Sequence, residues 1–346
     1  MPHQPLYLCY SINDFFVREA GVSLKGFLLN NPDYEPEEVF FLDYGIHPRN
    51  KERLDAIASS HGKRITYVGA KPVTDAVRRE YPQLGGWRGS MAPNAKAFIE
   101  QMLPPYVERL LFLDADTVVT GCVGELQALD MEHTALAAVP VLGFRPGDRE
   151  AGMRLLSGNS VYFNSGVLLY NLAVWRREGC PQIILNTLRQ LSQLTWPDQT
   201  LLNNAIPPNL FKPLPLKYNY MSHYIHPWQE RPWLRGRHCY TKAEIAEAMQ
   251  RPVVIHYLGG LVKARPWYEG CKSRRGEEYL RLKALTPWKD SSLAPPYQER
   301  VVYKGFLWKW YRCLFSLAQV QPFYFVTRLA TALYYRVVGS ERELVL

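Results

Sequence analysis

The chain has 346 residues, 47% of them hydrophobic and 21% charged, which is enough to bury one large or two modest cores and excludes a mostly disordered protein. Its net charge of +9 is unevenly spread: residues 231–346 hold 20 Lys/Arg against 9 Asp/Glu, leaving the first 230 slightly acidic. Such asymmetry points the C-terminal part toward an anionic partner, and six scattered cysteines without a CxxC pair fit a reducing compartment better than secretion.

In chain order, residues 6–10 read as a short apolar strand. No basic segment followed by an apolar one precedes it, so no signal peptide is expected. A helical pattern over 16–29 follows and is stopped by Asn30-Asn31-Pro32. Residues 39–42 are strand-like, 50–59 helical and 65–68 strand-like, and the alternation continues to a strand at 111–113. This order predicts an α/β fold with a mostly parallel sheet, whose ligands bind beyond the carboxyl ends of the strands. Cys9 and Cys122, in or beside apolar runs, are expected to be buried.

Two carboxylates close the run Arg109-Leu-Leu-Phe-Leu-Asp114-Ala115-Asp116. The run reads as a buried strand, and side chains alternate along a strand, so Asp114 and Asp116 point to the same side. Like charges there repel unless a cation stands between them, and a divalent metal holding a phosphorylated ligand is the simplest such cation. A strand end turning into solvent is the plainer alternative.

Between Asp130 and Tyr162 the pattern weakens, and Pro140, Gly143, Pro146, Gly147, Gly152 and Gly158 mark a candidate active-site loop. A strand over 167–169, a largely helical stretch over 172–194, a polar Pro-rich segment over 207–235 and a strand over 253–257 complete the folded part. The tail, residues 300–338, has six basic residues, no acidic one and eleven interleaved aromatics. Its longest uncharged stretch, 313–327, is too short to span a bilayer. An anionic membrane surface is the favoured partner, a core-packing helix pair comes second and nucleic acid third.

Four further segments carry chemistry. Tyr10-Ser-Ile-Asn13-Asp14-Phe15-Phe16 follows the first strand and suits a nucleoside, although Asn-Asp after a strand is often only a turn. Tyr162-Phe163-Asn164-Ser165-Gly166-Val167 reads as a β-bulge or a close ligand approach, or equally as a tight turn. Pro197-Asp198-Gln199-Thr200 resembles a helix start, where the acid could be capping alone. His256, after an apolar strand, is followed by Gly259-Gly260 and Lys263-Ala-Arg265-Pro-Trp267. A lone histidine there is more often a core residue, yet a metal ligand followed by flexible backbone and phosphate-binding cations makes chemical sense.

Taken in order, Asn13-Asp14, residues 40–46, residues 111–116, residues 163–175, Asp198 to Asn203 and His256 to Trp267 resemble glycosyltransferase family 8 over about residues 5–270. The likeness is to its bacterial lipopolysaccharide α-galactosyl- and α-glucosyltransferase branch rather than to glycogenin. The resemblance implies a GT-A fold over 1–295, a membrane-associating C-terminal region over 296–346, and a retaining transfer of galactose or glucose from a UDP-sugar to a glycan or glycolipid acceptor. It further implies a peripheral position on the inner face of the bacterial inner membrane.

By the same resemblance, Asp114, Asp116 and His256 would bind Mn²⁺ or Mg²⁺. Asn13, Asp14 and Phe16 would hold uridine, Phe16 standing where the family usually has Tyr. Asn164 and Asp198 would bind the donor sugar, Gln199 would lie beside the anomeric carbon, and Ala115 and Gly259 would line the donor site. Lys263 or Arg265 would hold the diphosphate, in a segment longer than the family's usual Gly-x-x-Lys-Pro-Trp. Lys96 falls near a family Arg that contacts donor, a replacement that loses the bidentate fork. Where the family often has a sugar-binding Asp, this chain reads Ala137-Ala-Val-Pro-Val141, so the resemblance does not assign the donor sugar. A metal-dependent nucleotidyl- or phosphotransferase using the same Asp pair, and a non-catalytic nucleotide-sugar binder, are the alternatives from other classes.

Overall fold

The computed structural model describes residues 5–295 apart from 88, 142–154, 195, 222–239, 259–264, 272 and 274. Expectations for Gly259, Lys263, residues 142–154 of the candidate loop and the whole of 296–346 therefore lie outside the described residues.

The first half alternates as expected. β1 (Leu6–Ile12) leads through a 3-10 turn to α1 (Val17–Asn30), β2 (Glu38–Asp43) to α2 (Pro48–Ser59), and β3 (Arg64–Gly69) to α3 (Lys71–Glu80). Local chemistry fixes the junctions. Pro48 starts α2 behind a His47 ring that accepts from the Arg49 N–H, and the Asp43 carboxylate accepts from the Gly45 and Ile46 N–H groups as β2 ends. A 3-10 helix (Ala92–Gln101) then precedes β4 (Arg109–Leu113), β5 (Thr117–Val119) and α4 (Gly124–Gln127).

The second half departs from the expected pattern in three places. β6 (Leu136–Pro140) is a fully buried strand inside the stretch read as a loop; its proline sits at a register shift against the next strand, where no ladder N–H is needed. That next strand, β7 (Phe163–Asn171), runs unbroken through Asn164-Ser165-Gly166. The helical stretch 172–194 is in fact α5 (Leu172–Arg177) and α6 (Cys180–Gln190), split at Gly179, whose φ of +67° is the left-handed geometry that ends helices. α7 (Pro197–Ala205), β8 (Phe211–Pro213), β9 (Tyr220–Met221), α8 (Lys242–Gln250), β10 (Val254–His256) and α9 (Gly276–Lys283) follow.

The main sheet has the order β3-β2-β1-β4-β7-β6-β8, with β3, β2, β1 and β4 mutually parallel and β7 antiparallel to both its neighbours. A second sheet, β5-β10-β9, stands beside it. Both faces of the main sheet are covered. Leu8, Tyr10, Phe41 and Leu111 face Ala20, Leu24 and Phe27 of α1, while Cys9, Phe40, Leu110 and Phe112 face Phe98, Trp175 and Leu201. The strict alternation along β1 and β2 follows from the period of a strand, and each such buried side chain contributes roughly 1.5–3 kcal/mol over its exposed state.

The chain leaves β1 toward β2 on one side and β4 lies on the other, so the strand order reverses between β1 and β4. The crevice beyond the carboxyl ends of these two strands is the position from which open α/β sheets bind ligands. Asn13 and Asp14 follow β1 there, and Asp114 follows β4. Because β7 is antiparallel, its first residues, Asn164 to Gly166, arrive at the same edge.

Candidate active site

β4 ends at Leu113, and residues 114–116 form a turn rather than a continued strand. The Thr117 N–H and hydroxyl both donate to the Asp114 carbonyl, at 3.1 and 2.7 Å, and the Asp114 N–H donates to the Gly166 carbonyl at 2.8 Å. Strand alternation is therefore not what gathers the two carboxylates: the turn does. His256 comes to them from β10, held by the pairing of β10 with β5, and its Nε2 is 3.0 Å from Asp116 Oδ1 and 3.9 Å from Asp114 Oδ2. One ligand atom from each of the three lies within 4.8 Å of the others.

Arg265 places a guanidinium nitrogen 3.4 Å from Asp116 Oδ2 and lies over the Trp267 ring. Burial pushes the Asp116 carboxyl up, but the His256 ring and Arg265 outweigh it and hold the group down at about 2. Asp114 goes the other way, raised by burial although Lys96 opposes the shift. Two hard carboxylate oxygens and one imidazole nitrogen, the ring braced on its far side by Asn219, form a donor set that fits Mn²⁺ or Mg²⁺.

Behind the Asp pair sits a cation with almost no water. The Lys96 side chain is 1% exposed, and its ammonium lies 2.7 Å from Asp114 Oδ1 and 2.9 Å from Asp198 Oδ2. Burial alone would discharge it; the two carboxylates keep it charged and push its pKa above the ordinary lysine value. Lys96 thus joins the Asp114–Asp116 turn to α7. Asp198 also accepts from the Ser165 hydroxyl at 2.7 Å, and α7 has no side-chain N-cap bond, so Asp198 does not cap its helix.

Next to it, Gln199 Oε1 accepts from Asn164 Nδ2 at 2.9 Å and from the Ser165 N–H at 3.1 Å, while its Nε2 donates to the Tyr162 hydroxyl. The Asn164 carboxamide oxygen takes the Gly166 N–H and Asn219 Nδ2, both at 2.8 Å. Gly166 has no room for a side chain: a Cβ there would stand 2.1 Å from Cε1 of His256. Of the readings open for residues 162–167, the tight turn gives way to a continuous strand, and the register against β6 shifts there, from Ala138 opposite Leu168 to Pro140 opposite Phe163, as a β-bulge does; the group packed against Gly166 is the His256 ring.

At the end of β1, Asn13 accepts from the Phe15 N–H, and Asp14 Oδ1 accepts from the His47 N–H and Asn50 Nδ2, both at 2.8 Å. Asp14 thereby ties this edge of the crevice to the start of α2. Phe16 packs against two hydrophobic clusters, and the neighbouring Phe15 is the ring left 69% exposed. Ala115 lies in the turn between the two aspartates, 9% exposed.

The structure therefore brings together Lys96, Asp114, Asp116, Asn164, Asp198, Gln199, His256 and Arg265. Asn13, Asp14 and Phe16 lie along the same strand edge, where their contacts run to the following turn, to the start of α2 and to the core. Cys122 is exposed, against expectation, because it follows β5 in the loop before α4; Cys9 is buried as expected. Sequence reasoning passed over Asn219, which lies in a stretch without a periodic or motif signal, and gave Tyr162 no role although it opens the 162–167 segment; only the fold shows them meeting His256 and Gln199.

A model of the family described as "Glycosyl transferase family 8" matches residues 7–271. Among curated proteins, general stress protein A of Bacillus subtilis is 24% identical over 289 residues, covering 82% of this chain and 94% of its own. The lipopolysaccharide 1,3-galactosyltransferase of Salmonella typhimurium is 23% identical over 300 residues, covering 84% of this chain and 81% of its own. Among solved structures, the galactosyltransferase LgtC in complex with donor and acceptor sugar analogues superposes with a TM-score of 0.65 at 22% identity, covering 81% of this chain and 96% of that one, which establishes the GT-A fold.

Proposed function

Because the chain belongs to glycosyltransferase family 8 and is a glycosyltransferase, we propose that it transfers a hexose, galactose or glucose, from a UDP-sugar to a glycan or glycolipid acceptor of the lipopolysaccharide-core type, with retention at the anomeric carbon. The observation that carries this reading is the convergence of Asp114, Asp116 and His256 beside the Lys96–Asp198–Gln199 network at the strand-order reversal. The relatives that act on lipopolysaccharide support the acceptor class.

In this reading Asp114, Asp116 and His256 would hold a divalent ion, whose positive charge would be available to the departing diphosphate. Arg265, and Lys263 outside the described residues, add cationic charge for the phosphates. Asn13, Asp14 and Phe16 serve the uridine, with Ala115 and Gly259 lining the donor. Asp198, fixed by Lys96 and Ser165, and Asn164 orient the donor sugar. Gln199 is held by two donors on its carbonyl oxygen, which lowers the electron density available for attack. A carboxamide so engaged is a poor nucleophile, which supports same-face attack in which the leaving phosphate oxygen takes the acceptor hydroxyl's proton. The sugar passes through an oxocarbenium-like state.

The test is UDP release by the purified protein with Mn²⁺ and a panel of UDP-sugars. Slow hydrolysis of one donor is expected, abolished by EDTA and by Asp116→Ala; no release from any donor, with no UDP binding by calorimetry, would sink the reading. The same reading assigns 1–295 to catalysis and 296–346 to the inner membrane face, on the basic and aromatic composition of 300–338. Among the described residues no helix is long and apolar enough to cross a membrane. The full chain should sediment with anionic vesicles and be released when Lys304, Lys309 and Arg312 become Glu.

A further inference from the structure

The His256 imidazole can present Nε2 to a cation only if its proton resides on Nδ1, and a chain of buried amides determines where that proton goes. Which end of each amide faces which neighbour is decided by groups that have no choice. Backbone N–H groups can only donate. The Gly166 N–H, 2.8 Å away, requires an oxygen at Asn164 Oδ1, and the Ser165 N–H, 3.1 Å away, requires an oxygen at Gln199 Oε1. Asn164 Nδ2 then donates to Gln199, consistent with both. With the Asn164 oxygen so fixed, the Asn219 group 2.8 Å from it must be Nδ2. That turns Asn219 Oδ1 toward His256, 3.0 Å from Nδ1, and an amide oxygen can only accept.

We infer that Asn219 is a positioning residue for the metal site: it holds the His256 proton on Nδ1 and so leaves Nε2 facing Asp114 and Asp116 as a ligand atom. The inference rests on the metal reading of the site for its consequence, though not for its geometry.

The competing arrangement is specific. Asp116 Oδ1, 3.0 Å from Nε2, is itself an acceptor and would draw the single proton of a neutral ring to Nε2. In that tautomer a bare Nδ1 would face the Asn219 oxygen, two acceptors in contact at a residue with 0% exposure, where no water can intervene. Whatever proton Nε2 carries, Nδ1 therefore keeps its own. The ring cannot swing away, because Gly166 packs directly against it. The polarity that reaches the imidazole originates in two backbone N–H groups of β7, relayed through Asn164 and Asn219. The same relay holds Gln199.

The test uses the full-length protein with 15N-labelled histidine, read by long-range 1H–15N NMR, and Mn²⁺ binding by calorimetry without donor. In the wild type, Nδ1 of His256 should read as the protonated ring nitrogen. In Asn219→Leu the neutral ring should move its proton to Nε2, and Mn²⁺ should bind roughly 10–100-fold more weakly, the usual cost of losing an outer-shell partner. Asn219→Asp, carrying its proton on the oxygen that faces Asn164, keeps an acceptor opposite Nδ1 and should keep Nδ1 protonated, which preserves the test if the leucine variant does not fold. A bare Nδ1 in the wild type, or a leucine variant unchanged in both tautomer and affinity, would overturn the inference. A wild type with Nδ1 protonated that binds neither Mn²⁺ nor Mg²⁺ would instead remove the metal reading while leaving the role of Asn219 standing.

Discussion

The two sheets of this molecule are built on different terms. In the main sheet β1, β2 and β3 are joined by one helix each, pair over five or six residues, and are buried against helices on both faces. The β5-β10-β9 sheet draws on segments near 118, 220 and 255, pairs over three residues on one side of β10 and two on the other, and shares a small cluster of Val22, Val118, Ile255, Tyr257 and Trp267. Its strands have too few ladder bonds to stand alone. It is held by side chains instead, with the Ser23 hydroxyl 3.1 Å from that of Thr117 and Asn219 bridging to β7. The candidate metal site straddles the two: its aspartates come from the turn leaving the large sheet and its histidine from the small one. A cation bound there ties a self-sufficient unit to a dependent one.

The sharpest way to break that pairing is Lys96→Met. It leaves Asp114 and Asp198 without their shared cation, and stability should fall by about 3 kcal/mol, the low end for breaking a buried ion pair because Asp114 keeps some contact with water. Glycosyl transfer should fall by roughly 10³-fold, since both the leaving-group and sugar sides of the crevice lose their alignment. A variant with wild-type turnover and melting temperature would show that the two sides are independent.

Gly166→Ala, in β7 of the main sheet, acts on the small sheet through His256. The new methyl meets the His256 ring and must displace it, so Mn²⁺ affinity should drop while stability falls by about 1–3 kcal/mol, as expected for overpacking. Unchanged Mn²⁺ binding by calorimetry would mean that the ring is not needed there.

The gentlest perturbation adds the metal rather than removing a residue. Saturating Mn²⁺ should slow hydrogen exchange at the Tyr257 and Thr120 amides, which bond to Asp116 and Val253, by up to about 100-fold at a hundred times Kd. Amides of β2 such as Phe41 should slow far less. Equal protection in both sheets would make them one cooperative unit.

The same division governs what could be read from the chain. Residues 6–10, 39–42 and 65–68 fall inside β1, β2 and β3, and 16–29 and 50–59 nearly coincide with α1 and α2, because long periodic segments state their own partners. The run 253–257 contains β10, yet nothing in it named β5 or β9, which are too short to show a period. Asp114, Asp116 and His256 could be picked out because carboxylates and a histidine at strand ends are conspicuous. That Lys96 lies between two carboxylates, or that Asn219 reaches His256, depends on contacts spanning about a hundred positions or fewer than forty, with no local signature either way. The split at Gly179 was legible, since Gly-Cys-Pro marks a helix end and a new start, but the apolar periodicity on both sides masked it.

β7 is buried at every position from Phe163 to Tyr170, and it carries Asn164, Ser165 and Gly166 into the crevice. A strand packed on both faces accepts few substitutions, whatever their effect on chemistry. Descendants of this chain that come to use another sugar will therefore keep this strand and change elsewhere. The room for such drift lies along the rim, at positions such as the exposed Phe15, where a new side chain can alter what is bound without costing the protein its fold.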